Sequence, residues 1–124
     1  WLANDPQGEA HLQRWLSVAA GPLHAGPAAA RWVTVFGAAL DADTLISRSH
    51  ALLSVVEQQL AQSRFLVGEL PTVADIALYS YVAHAPEGNV SLDEYPHIRS
   101  WLESIQALPG FVGMQRTAAR LQPA

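Results

Sequence analysis

Residues 65–79, Phe65-Leu66-Val67-Gly68-Glu69-Leu70-Pro71-Thr72-Val73-Ala74-Asp75-Ile76-Ala77-Leu78-Tyr79, decide how this chain folds. Thr72 and Asp75 stand three apart at the head of an apolar run, with Pro71 just before them. That spacing makes a capping box: the Thr72 hydroxyl can accept from the Asp75 amide, and the Asp75 carboxylate can reach back to the Thr72 amide. Two of the amide donors that a helix start leaves without partners are satisfied in this way. The carboxylate also lies in the first turn, where the helix dipole favours negative charge. From Ile76 to Ala83 the residues are apolar nearly all round, which predicts a helix buried on most sides. Such a helix cannot turn to water for its end groups, so its cap matters.

Outward from this helix, Gly and Pro punctuate a series of helical periods, and no stretch alternates as a strand would. A first helix is predicted to start near Asp5-Pro6, with Leu12, Trp15, Leu16, Ala19 and Leu23 on one buried face. Gly21-Pro22 should bend or break it, because proline removes a backbone bond and crowds the preceding turn. A second helical piece is expected from about Pro27 to Phe36. A third, capped by Asp41 or Asp43, carries Leu45, Ser49, Leu52, Val56 and Leu60 on one stripe and ends before Phe65.

After the central helix, predicted from Thr72 to about His84, residues 85–93 contain Pro86, Gly88 and Asn89 and read as a loop. Pro96 opens another helix, with Ile98, Trp101, Leu102 and Ile105 on its apolar stripe. Leu108-Pro109-Gly110 stops it. A short last helix carrying Phe111 and Met114 is expected, followed by a loose tail after Arg120. The predicted fold is all-α, a single-domain orthogonal bundle of five to seven helices with no strands.

Bulk properties narrow the function classes. Half of the 124 residues are hydrophobic and 15% are charged, enough apolar matter for one real core. A formal charge of −4 gives no electrostatic reason to expect nucleic acid or an anionic membrane as partner. With no cysteine, disulfides, thiolate nucleophiles and thiolate metal sites all fall away. Apart from His24, the histidines His11, His50, His84 and His97 are dispersed, and none makes a spacing that places two ligands on one helical face with a third nearby, so no metal is expected. The longest apolar stretch, Trp32 to Leu40, falls well short of the roughly 20 residues of a membrane span. No signal peptide opens the chain, and it starts at Trp1 without a methionine. The expectation is a cytoplasmic piece of something longer.

Candidate binding residues come from the first helix. Wound at about 100° per residue, it carries Arg14, Ser17, Gly21 and His24 on the face opposite the apolar one. Small residues there would leave a groove into which Ser17 and His24 could offer hydrogen bonds. The solvent side of any surface helix looks the same, and the residues alone leave both readings open. Tyr79 and Tyr81 read as core aromatics, His84 as a dipole partner at a helix end, and Arg116 and Arg120 as a solvated basic edge. Capping suffices to account for a buried Asp75 without any catalytic role.

The string that opens this section, with Tyr95-Pro96 and Leu108-Pro109-Gly110 spaced behind it, resembles the C-terminal domain of cytosolic glutathione transferases. Arg14-Trp15-Leu16-Ser17 and Leu23-His24-Ala25-Gly26 look like the bacterial beta class of that family. The resemblance implies that residues 1–124 are the all-helical domain of a two-domain transferase, its N-terminal thioredoxin-like domain lying outside this chain. It implies glutathione as co-substrate, a small electrophile as substrate and a homodimer, with no catalytic residue here. Arg14, Ser17, Gly21 and His24 would border the cleft between the domains. In the beta class the position of Ser17 is usually an asparagine near glutathione. His24 falls on a histidine near the thiol, which a lysine commonly follows; this chain has Ala25 instead. Domains of this helical type also serve as non-enzymatic assembly modules, which is the alternative implied.

Overall fold

A computed structural model describes residues 1–119, and among them there is no strand. Five α-helices run in order: α1 (Pro6–Ala20), α2 (Ala29–Phe36), α3 (Ala42–Leu60), α4 (Val73–Ala83) and α5 (Pro96–Gln106). A wide π turn, His24–Ala28, leads into α2, and a tight 3-10 turn, Ala85–Gly88, follows α4. All five helices fall where the sequence predicts them.

The starts are those the sequence announces. Asp5 caps α1 by accepting from the Gly8 amide at 2.7 Å, with Pro6 at the first helical position. Asp41, rather than Asp43, caps α3. At Gly21 the backbone leaves helical geometry (φ −106°, ψ −92°), which ends α1 one residue before Pro22. Pro27 then sits inside the π turn. A proline ring crowds the carbonyl of the preceding turn and supplies no amide, and widening that turn is one way to accommodate it. Gly26 lets this turn press onto α3, since a β-carbon there would stand 3.2 Å from the Ser49 hydroxyl and 3.3 Å from the Ser49 backbone.

The central helix is enclosed. Ala74, Asp75, Leu78, Tyr79 and Val82 of α4 are buried, whereas Ile76 is 48% exposed, so one flank is open. Around α4 gather Leu12 and Trp15 from α1, Leu53 and Val56 from α3, and Ile98, Trp101 and Ile105 from α5, all buried. Each such side chain contributes about 1.5–3 kcal/mol by leaving water.

Every amide of the first turn of α4 has a partner. The Thr72 amide donates to Asp75 Oδ2 at 2.8 Å, the Ala74 amide to the Thr72 hydroxyl at 3.2 Å, and the Asp75 amide to the Thr72 carbonyl at 3.1 Å. The Val73 amide donates to the Trp1 carbonyl at 3.0 Å. The box is present with its carboxylate half as expected, whereas the Thr72 hydroxyl takes the Ala74 amide in place of the Asp75 amide, and capping is not a complete account of Asp75. Its other oxygen, Oδ1, accepts from the Leu66 amide at 3.0 Å and from Trp101 Nε1 at 2.8 Å. One fully buried carboxylate thus joins α4, the loop before it and α5.

Helix α5 starts without a side-chain cap of its own. Glu57 of α3 supplies one, accepting from the His97 amide at 2.9 Å and the Ile98 amide at 2.8 Å. Two expectations for the C-terminal side need correction. Residues 85–93 are not all loop, because Ala85–Gly88 form the 3-10 turn. The last helix carrying Phe111 and Met114 is absent: residues 111–119 are extended or irregular. Gly110 takes a left-handed φ of 77°, and beyond it the chain is anchored by side chains. The Phe111 ring sits edge-on to Tyr79 at 5.1 Å, and the Thr117 amide donates to Glu87 Oε1 at 2.6 Å. The tail after Arg120, and Arg120 as partner of Arg116, lie outside the described residues.

Candidate functional site

Arg14, Ser17, Gly21 and His24 are all exposed along one run of the chain. Successive backbone bonds hold the run in register: the Gly21 amide donates to the Ser17 carbonyl at 3.0 Å and the Ala25 amide to the Gly21 carbonyl at 2.9 Å. Three of the four side chains or their neighbours have local contacts as well. The Arg14 guanidinium lies 5.3 Å from the centre of the Trp15 ring, a cation–π approach. The Ser17 hydroxyl donates back to the Gln13 carbonyl at 3.1 Å, so its proton is engaged within its own helix. His24 stands at the start of the π turn with its ring edge-on to Trp32 at 5.7 Å, and Trp32 is itself 44% exposed. These residues form an open face, and none of them lines the hollows described next.

Three of those hollows lie elsewhere. One, of about 460 Å³, opens between α2 and the start of α3, beside Thr34, Asp41 and Gly88. A second, of about 390 Å³, lies between α4, α5 and the tail, beside Tyr79, His84 and Arg116. A third, of about 270 Å³, is walled by Trp1, Ile76, Ile105 and Val112. Among the described residues no group of three or more His, Cys, Asp or Glu side chains is placed to hold a metal ion. No described helix is long and apolar enough to cross a membrane.

A buried polar cluster escapes the sequence reading. Arg31 of α2, only 8% exposed, brings Nε to 3.5 Å from Glu87 Oε2 and donates from Nη2 to the Thr117 hydroxyl at 3.1 Å. His84 Nδ1 is hydrogen-bonded to the same Glu87 carboxylate, and the Thr34 hydroxyl donates to the Glu87 carbonyl. Burial by itself would raise the Glu87 carboxyl. The Thr117 amide, the His84 ring and the Arg31 charge outweigh it and hold the group below the usual carboxylate range. The available signal was a lone arginine inside the apolar run from Ala28 to Val35. Gly88 makes the close approach possible, since a β-carbon there would fall 2.7 Å from the Arg31 amide nitrogen.

An all-helical bundle built on a buried capping-box helix, with an open polar face on its first helix, defines a class of helical domain. The chain belongs to the family described as glutathione S-transferase, C-terminal domain, which residues 37–109 match. A probable glutathione S-transferase of Oryza sativa subsp. japonica, GSTF1, is 31% identical over 75 residues, covering 58% of this chain and 32% of its own length. The crystal structure of a glutathione S-transferase from Pseudomonas fluorescens is 30% identical, with a TM-score of 0.85 over 90% of this chain and 58% of that one. A theta-class glutathione S-transferase from Xanthomonas axonopodis pv. citri, solved with glutathione bound, shares the fold at 23% identity, with a TM-score of 0.73 over 86% of this chain and 59% of that one. The chain thus spans less than two thirds of the length of each of these relatives. Arg14, Ser17, Gly21 and His24 precede the matched residues 37–109.

Proposed function

We propose that this chain is the substrate-binding and dimerisation domain of a glutathione transferase whose reactive half, a thioredoxin-like domain, lies outside it. The parent adds the sulfur of glutathione to a small electrophile. That chemistry requires a thiolate, because the thiol is a poor nucleophile near neutral pH. On this reading the helical domain contributes the wall for the electrophile, part of the dimer surface and the scaffold, and no catalytic group. The beta-class assignment rests on Arg14-Trp15-Leu16-Ser17 and Leu23-His24-Ala25-Gly26 and belongs to the same proposal.

The observation that carries the site is the open face made by Arg14, Ser17, Gly21 and His24, none of which belongs to the core that Trp15 and Leu23 of the same run enter. It ends at a π turn, a local geometry often found at functional sites. The exposed Trp32 against His24 adds an apolar flank of the kind that partner or ligand surfaces carry. In the parent enzyme, His24→Ala should raise KM or lower kcat for glutathione conjugation while the thermal midpoint stays put. Steady-state kinetics with several electrophiles check this, and unchanged constants throughout would remove His24 from the cleft.

A further inference from the structure

We infer that residues 111–119 form a strap that swings off the bundle as a unit about Pro109-Gly110 while the five helices stay folded, with a catch at Thr117 that holds it closed. This device goes beyond the transferase reading and uses no residue of the Arg14–His24 face.

The strap is tied down sparsely. Among the described residues, no backbone amide or carbonyl from 112 to 119 bonds to another backbone group. The hydrogen bonds that join this stretch to the bundle meet at one residue. The Thr117 amide donates to Glu87 Oε1 at 2.6 Å, and the Thr117 hydroxyl accepts from Arg31 Nη2 at 3.1 Å. All of the strap except Phe111, Met114 and Ala119 is exposed. Few buried apolar contacts and a backbone turned to water mark segments that open locally, at less cost than unfolding the domain.

Beneath the strap there is space instead of packing. The hollow of about 390 Å³ lies between Gly113, Met114 and Arg116 on one side and Tyr79, His84 and Leu102 on the other. Close contact is what makes a core costly to part, and across this hollow it is missing. The firm apolar contact, the Phe111 ring edge-on to Tyr79 at 5.1 Å, lies next to the hinge. At the hinge itself Gly110 has a left-handed φ of 77°, and no atom stands within 4 Å of where its β-carbon would be. The backbone there is free to turn.

The catch survives release. Arg31 Nε stands 3.5 Å from Glu87 Oε2, and His84 Nδ1 is hydrogen-bonded to the same carboxylate. When Thr117 leaves, neither charge is stranded, because each keeps the other. Arg31 Nε is buried with no hydrogen-bond partner among the described residues, so water admitted beside it offsets part of what is lost. Opening removes one wall of the hollow and bares the flank of Tyr79 and His84, both buried while the strap is down.

Amide exchange in the full chain, followed residue by residue by NMR and corrected for intrinsic rates, tests the device. The Thr117 amide should exchange about a hundredfold faster than those of Leu78 and Val82 in the core of α4, yet about tenfold slower than in an unstructured peptide. Thr117→Ala keeps the amide and removes the hydroxyl that Arg31 holds, at an exposed position. Exchange at residue 117 should then quicken about tenfold while α4 stays as it was. Thr117 exchange as slow as that of α4 would mean that strap and bundle come apart together. Exchange at the peptide rate would mean that there is no catch. Either result overturns the proposal, as does a Thr117→Ala variant that leaves residue 117 unchanged or quickens α4 equally. The readout needs neither glutathione nor an electrophile, so its failure and that of the transferase reading are separate events.

Discussion

Asp75 accepts from the Thr72 amide on one oxygen and from the Leu66 amide and the Trp101 ring on the other, with no exposure to solvent. Its removal would strand three buried donors, each costing about 1–3 kcal/mol when left without an acceptor. Asp75→Ala should therefore destabilise the domain by roughly 4 kcal/mol, well beyond the loss of an exposed cap, for which about 1 kcal/mol is usual. Asp75→Asn should cost less, because one amide oxygen can still serve one side while its NH2 group faces the other. Denaturant titrations of both variants check the order: equal midpoints for the two would discard it, and an Asp75→Asn midpoint equal to that of the native chain would show that the second oxygen carries nothing. The capping half of this role was legible because Thr72 and Asp75 are neighbours along the chain. The Trp101 half was not, because its partner lies 26 residues away and only the packing of α5 on α4 brings it near.

At the scale of helices, the junction of α3 with α5 depends on Glu57. Burial would raise its carboxyl, but the His97 and Ile98 amides and the His97 ring outweigh that and hold it below the usual range. A carboxyl depressed in the folded state contributes stability that is fully present above its unfolded value of about 4.3 and is lost as the pH falls through the lower folded value. Glu57→Gln should thus lower the unfolding midpoint at neutral pH and flatten its decline below about pH 4.3. Chemical denaturation at a series of pH values tests this, and parallel acid limbs for the two proteins would discard it. Helix positions were readable from periodicity and punctuation, whereas this cap was not, since it joins residues 40 and 41 apart. The expected last helix failed for a related reason. Two apolar residues, Phe111 and Met114, suggested a turn, but Gly110, Gly113 and the anchors at Tyr79 and Glu87 hold that segment extended or irregular.

For the whole molecule, the proposed function predicts that this chain alone conjugates glutathione to no electrophile at a rate above the uncatalysed one. A spectrophotometric assay of the isolated chain checks it, and turnover by the chain would place a thiolate-activating group among these helices. The candidate face was visible in the sequence as a polar row, yet nothing in a row distinguishes a cleft from a wet surface. The second hollow was invisible there, because its walls come from residues 79–84, 102–106 and 111–116. Legibility ended where function depends on contacts between distant segments. The cap that α3 lends to α5 bears on how the protein is made. As the polypeptide leaves the ribosome, residues 96–98 emerge with a proline start but no side chain of their own to cap it, and their first turn must wait for a glutamate already committed to an earlier helix. Severed between residues 60 and 65 into two peptides, the later one would remain largely coil in water and wind up when mixed with the earlier one.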